Sequence, residues 1–264
     1  MSNGDDIRYL AAGGRLTSPD NAPSRYRGEV MRQMAVLTDS LLAGAAGFAD
    51  CINLASGLRE RITAARIVGE KFAHAERILG LMAQFGTNAA EYVSAHAWAA
   101  RHDRSVSFGT RRIEGDMRLN VFHYPIEGWV DAIVLNTLMG QATVIQLDEL
   151  VGSSYAPLAD AVAEIRTGEA HHAERGRRGL GAILAQGHDE GHEEGHDDDR
   201  VQASVTYWYP RVADTFGRPD SERFETLKKL GLRHRSNQEL WRQWRDEAAT
   251  MLGTFGLRAP ESGQ

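Results

Sequence analysis

The sequence predicts an all-α protein, a four-helix bundle with additional shorter helices. Three observations carry this. Apolar residues recur at three- and four-residue spacing through four long stretches. Gly57, Pro125 and the "GSSYAP" segment with Pro157 mark joins between those stretches. No series of short alternating runs separated by tight turns suggests a sheet.

The elements follow in order. Residues 1–23 are rich in Gly, Ser, Asp and Pro and read as a flexible arm. From Ser24, the spacing of Met31, Met34, Leu37, Leu41 and Leu42 predicts a helix to about Ser56. Gly57 marks the turn, and a second helix runs to about Phe85. A shorter piece, "NAAEYVSAHAWAARH", precedes a polar stretch from Asp103 to Asn120. Pro125 suits the first turn of a third long helix ending near Val151. "GSSYAP" breaks it, and Pro157 opens a fourth that runs to about Ala185. Two more are expected, around "VTYWYPRVADTFG" and from Asn237 to Gly253. The expected organisation is thus an arm (1–23), a bundle (24–186), a loop (187–199) and C-terminal helices packed on the bundle (200–264).

Composition narrows the function. The chain has 264 residues, 42% hydrophobic and 25% charged, enough to bury a real core. A net charge of −6 argues against a nucleic-acid surface. One cysteine, Cys51, precludes an intrachain disulfide and suits a reducing, cytoplasmic setting. The N-terminus lacks the pattern of a secretory signal, and the most apolar run, "WVDAIVLNTLMG", is interrupted and too short to cross a bilayer, so no membrane is expected. In "GHDEGHEEGHDDD", Gly-His recurs every four residues, a set that can gather divalent ions. Three glycines and many like charges make it a solvated loop first.

The stretch "RTGEAHHAERG", residues 166–176, holds the candidate chemistry. Glu169 and His172 are three residues apart and share a helix face; two such segments opposed in a bundle can hold a pair of iron ions. The bland reading is an exposed pair on an ordinary helix.

"GEKFAHAERIL" (69–79), "VFHYPIEGWVDAI" (121–133), "SSYAPLADAVAEIRTGEAHHAERG" (153–176), "YWYPRVADTFG" (207–217) and "SNQELWRQWRDEAATMLGTFGLRAPE" resemble one family. It is the phenylacetyl-CoA epoxidase family, bacterial multicomponent monooxygenases of ferritin-like fold, and the similarity spans roughly residues 25–260. The resemblance implies a ferritin-like bundle, a di-iron site of two Glu-x-x-His pairs plus two further carboxylates, an aromatic acyl-coenzyme A substrate and electrons from a separate reductase. Matched to that pattern, Glu169 and His172 form the fourth-helix pair and His74 the second-helix histidine. The carboxylate expected three residues before His74 is Lys71; the other two positions fall on Leu41 and Gly140. One acid cannot neutralise two ferrous ions in a bundle core. Asp39, Glu70 and Asp131 are nearby acids, but Glu70 points about 100° away from position 71 on the helix.

Two readings remain open. In the first, His74, Glu169 and His172 are the two-histidine, one-carboxylate set of mononuclear non-haem iron enzymes. The chain is then an oxygenase-type protein acting on an aromatic or acyl substrate, free or coenzyme A-linked, and Lys71 assists beside the metal. In the second, no iron is bound: Lys71 neutralises Glu169, with both histidines completing hydrogen bonds. The chain is then a scaffold or partner in a multicomponent monooxygenase, and such a role has precedent in that family. Either way, a homo- or hetero-oligomer with a related helical subunit is expected. Asn136 and Gln141, polar within the apolar third helix, are candidate pocket residues, with interhelical hydrogen bonds as the bland alternative. Lys228, Lys229, Arg233 and Arg235 form a small basic cluster that could meet phosphates or an acidic partner. Trp129, Trp208, Trp241 and Trp244 read as packing anchors.

Overall fold

The computed structural model describes residues 8–95, 97–106, 116–189 and 196–261, excepting the side chains of 186–189 and 196–197. Among them the fold is all-α. Its helices are α1 (Ser24–Ala49), α2 (Leu58–Gln84), α3 (Ala89–Ala95), α4 (Trp129–Val151), α5 (Ala156–Asp189), α6 (His196–Ala213), α7 (Glu222–Lys229) and α8 (Asn237–Gly253), with short 3-10 turns between some of them.

α1 packs along α2, α4 along α5, and the two hairpins meet where α2 lies on α5; α6 and α8 close over α4. The α4–α5 contact is the tightest. A Cβ on Gly140 would stand 2.9 Å from Ala173 Cα, one on Gly176 3.1 Å from Thr137 N, and one on Gly179 3.2 Å from Ile133 Cδ1. The paired numbers fall on one helix as they rise on the other, so the helices run antiparallel with small residues every three or four positions at the seam.

The "SSYAP" turn is anchored on three sides. Ser154 N donates to Gly231 O at 2.8 Å, Leu16 N donates to Ser154 O at 2.7 Å, and Ala156 N donates to Leu16 O at 2.8 Å. Tyr26 Oη shares a 3.0 Å hydrogen bond with Ser154 Oγ. Gly231 is needed there: its φ is +65°, and a Cβ would meet Ser154 Cβ at 2.9 Å.

Several expectations are revised. Residues 8–23, expected to be a flexible arm, instead lie against the bundle, with Leu10 buried and Leu16 bridged to Tyr155. α1 stops at Ala49, short of Ser56, and α4 begins at Trp129, because Gly128 at φ +99° precedes it; Pro125 lies outside the helix. α6 passes through Pro210, and α7 went unrecognised in the sequence. Of the expected 187–199 loop, residues 187–189 and 196–199 are helical and 190–195 lie outside the described residues. The run judged too short for a membrane sits in a 23-residue helix. It and Ser24–Leu54 have the length and apolarity of spans, yet 67% and 61% of those windows are buried in the bundle, as in core helices. Trp208 and Trp244 are fully buried, and Trp244 Nε1 donates to Leu138 O at 3.2 Å.

Substitutions at two helical glycines should act in opposite directions. Gly69 has nothing within 4 Å of a built Cβ, so Gly69→Ala should stabilise by about 0.4–1 kcal/mol. At Gly140 the propensity gain of about 1 kcal/mol is opposed by overpacking against backbone, which costs about 1–3 kcal/mol. Gly140→Ala should lower the urea midpoint where Gly69→Ala raises it.

Candidate functional site

Lys71 and His74 lie three residues apart on α2, so both face α5; Glu169 and His172 do the same from α5. Glu169 is 0% exposed and is the centre of the group. Its Oε2 accepts from Lys71 Nζ at 2.5 Å. Its Oε1 accepts from His74 Nδ1 at 3.1 Å. His172 Nδ1 lies 3.4 Å from the same oxygen but makes no hydrogen bond. The two imidazoles stack with centroids 5.9 Å apart. Lys71 and His74 are 14% and 18% exposed, so one edge of the cluster is wet.

Glu70 enters from the outside. His172 Nε2 and Glu70 Oε2 are 2.5 Å apart. A carboxylate only accepts, so the imidazole donates through Nε2. Glu70 is 40% exposed, with Arg175 Nη1 3.5 Å from the same oxygen. The cluster is therefore two hydrogen-bonded groups in contact: Lys71 and His74 on Glu169, and His172 on the solvent-facing Glu70. Sequence reasoning held that Glu70 cannot replace position 71, and it does not touch Glu169; its bond to His172 was missed. Gly168 was missed as well. A Cβ there would lie 2.9 Å from His74 Cε1, so the glycine makes room for the ring. A glycine inside a helix, beside the candidate acid, was the available signal.

Electrostatics follow from this packing. Burial pushes the Glu169 carboxyl upward, but Lys71 and the two histidines outweigh it and hold the group well below the usual carboxylate range. Glu70 is also lowered: its partial burial acts upward and is overcome by His172 and Arg175.

The remaining acids are committed elsewhere. Asp39 accepts from Tyr92 Oη at 2.6 Å and from Met117 N at 2.9 Å. Asp131 is bound by Arg104, by Ser204 Oγ at 2.6 Å and by Glu127 N at 3.1 Å. Leu41 and Gly140 line a cavity of about 310 Å³ between α1 and α4, with Lys71 on its wall. Asn136 also lines it and donates to His172 O at 3.4 Å. Gln141 is not on its wall; its buried Oε1 has no hydrogen-bond partner. Of the basic cluster, Arg233 and Arg235 turn inward to buried Glu149.

Comparison with known proteins agrees with this architecture. The profile of the phenylacetic acid catabolic protein family matches residues 9–264. The chain belongs to that family. It is also 26% identical over 245 residues to one of the subunits of 1,2-phenylacetyl-CoA epoxidase from Escherichia coli (strain K12), a match that covers 92% of this chain and 72% of the relative.

A di-iron centre of the kind the resemblance implies does not fit the residues as placed. Where one carboxylate is required, an ammonium sits at 2.5 Å from Glu169; where another is required, Gly140 has no space for a Cβ beside Ala173. A single ion on His74, Glu169 and His172 meets the same obstacle, because the cation on Glu169 is already Lys71. Among the described residues no group of three or more His, Cys, Asp or Glu is arranged to hold a metal.

Lys71→Met should strand the buried carboxylate and destabilise the protein by about 3–5 kcal/mol. Lys71→Met with Glu169→Gln removes both charges and should recover most of that loss. Urea unfolding of the two variants checks the coupling.

Proposed function

We propose that this chain is a metal-free bundle protein of a phenylacetyl-CoA epoxidase-type assembly, acting beside a metal-bearing member of the family rather than activating oxygen itself. The observation that supports this most is the Lys71–Glu169 ion pair at 2.5 Å inside the bundle. An ammonium supplies the positive charge that a buried carboxylate needs, fixed by a peptide chain and independent of metal supply. Family membership and the epoxidase relative support the assembly and its class of substrate, an aromatic or acyl group carried as a coenzyme A thioester.

On this reading the cluster does structural work. Lys71 and His74 fix α2 against α5 through one carboxylate, and Glu70 holds His172 from the opposite side. With Lys71 turned onto Glu169, the acid of the cluster is neutralised in place and offers the cavity no general base. The oxygenase reading would require Lys71 to leave Glu169 before any ion could enter.

Iron content tests the proposal. Protein made anaerobically in iron-replete medium, with His188, His192 and His196 replaced by alanine to remove adventitious binding, should contain no iron. About one iron per chain would sink it. Lys71→Glu should be strongly destabilised without metal, since two carboxylates then face each other; a stable, iron-loaded Lys71→Glu protein would count for the oxygenase reading.

A further inference from the structure

Among the described residues, nothing covers the outward face of α2. Ile62, Arg66, Gly69, Ala73, Glu76 and Gly80 are all exposed. They alternate four and three residues apart, the spacing of a seam that meets a second helix. At 3.6 residues per turn they lie opposite Lys71 and the buried Ile67, Ala75 and Ile78, so the seam points away from the bundle centre. The solvent face of a surface helix is normally polar or charged; here Ile62 and three small residues break that pattern. Leu58, one turn before Ile62, is 73% exposed, and Ile62 itself is 51% exposed. Gly69 and Gly80 have open space where a Cβ would stand.

The two halves of the seam differ in size and in charge. Its N-terminal half carries the bulky Leu58 and Ile62 and the cation Arg66; its C-terminal half carries Gly80 and the anion Glu76. Neither Arg66 nor Glu76 makes a hydrogen bond or ion pair among the described residues. Such a face is complementary to itself turned end for end, which is the condition for a two-fold contact between identical chains. An unlike partner would have to match the whole face but would place no demand on its halves to match each other.

Size and charge then select the register. An antiparallel seam slides in steps of one heptad. One step places Arg66 over Gly69 and brings the two copies of Arg66 within about 5 Å along the axis; the opposite step does the same to the two copies of Glu76. Between these, Arg66 faces Glu76 twice, the two pairs about 15 Å apart. In that register Ile62 meets the gap at Gly80, and Gly69 meets Ala73 at the two-fold axis, where small residues let the helices approach closely. Glu70 comes near its own copy beside the axis, but His172 and Arg175 already oppose its charge.

We propose that α2 is the contact helix of a homodimer, packed antiparallel against α2 of a second copy with Arg66 of each chain on Glu76 of the other. One helix a side gives an interface at the small end of specific contacts, about 1,200 Å² in total, so the dimer should exchange with monomer at micromolar concentrations. The seam points away from Lys71, and the proposal is separate from the metal-free reading: iron in the protein would sink that reading and leave the case for the dimer unchanged.

Sedimentation equilibrium of the full chain at about 5–200 µM tests this. Most of the protein should be dimeric at the upper end and most of it monomeric at the lower. Gly80→Trp touches nothing in its own chain but fills the space for Ile62 of the second copy. It should weaken the dimer about tenfold or more while circular dichroism remains that of a folded bundle. Arg66→Glu alone and Glu76→Arg alone should each weaken it by a similar factor, because like charges then meet. Arg66→Glu combined with Glu76→Arg restores opposite charges and should bring dimerisation back to within about threefold of the parent. A chain that stays monomeric at the upper concentration would overturn the proposal, including the case in which a related helical subunit then occupies this face. A dimer indifferent to folded Gly80→Trp would place the contact elsewhere and overturn it as well. A double charge reversal that dimerises no better than the single ones would overturn the antiparallel register on which the choice of a second copy rests.

Discussion

Glu169 is a carboxylate with no solvent exposure, and Lys71 is the cation that neutralises it. Leaving such a charge unpaired costs several kcal/mol, an appreciable part of the stability of a domain. That pairing ties α2 to α5, with Nζ and Oε2 2.5 Å apart. His74 then finds the second oxygen of the same group, and Gly168 is the residue whose missing side chain allows it. Each neighbour of Glu169 is thus placed by the requirement to satisfy one buried acid.

The same constraint bears on α4. A metal-binding carboxylate on that helix would need room for its side chain toward the centre, but Gly140 lies against Ala173 with no space for a methyl group. Glycines at 140, 176 and 179 let α4 and α5 approach closely. A carboxylate side chain at position 140 would meet Ala173 and force α4 and α5 apart.

Much of this was legible in the sequence, and the part that was not has a physical reason. Helical periodicity placed α1, α2, α4 and α5, because a bundle helix must show an apolar stripe to its neighbours. The three-residue spacings of Lys71 with His74 and Glu169 with His172 put each pair on one face without knowledge of the partner helix. The bond from Glu70 to His172 could not be read, because it depends on how far a half-exposed side chain reaches across an interface. Asp39 and Asp131 looked available for the centre, yet residues far along the chain claim them: Tyr92 and Met117 for one, Arg104 and Ser204 for the other. The cavity was invisible for the same reason, since a void is a property of the distance between α1 and α4. Helix ends failed where one backbone conformation decided them, as at Gly128 before α4.

The cavity and the ion pair lie on different helix pairs of the bundle. In a bundle whose four inner faces all carry metal ligands, the ion draws the helices together. Here the cation is a side chain of α2 and its anion belongs to α5, so that pairing ties only two of the four helices. α4 is held to α5 by the glycine seam, and α1 to α2 by its own apolar face. Nothing in the cluster draws α1 toward α4, and the facing residues Leu41 and Asn136 carry no charge that could. The Lys71–Glu169 pair thus ties α2 to α5 and leaves the spacing of α1 and α4 to the packing of the uncharged residues between them, Leu41 and Asn136 among them.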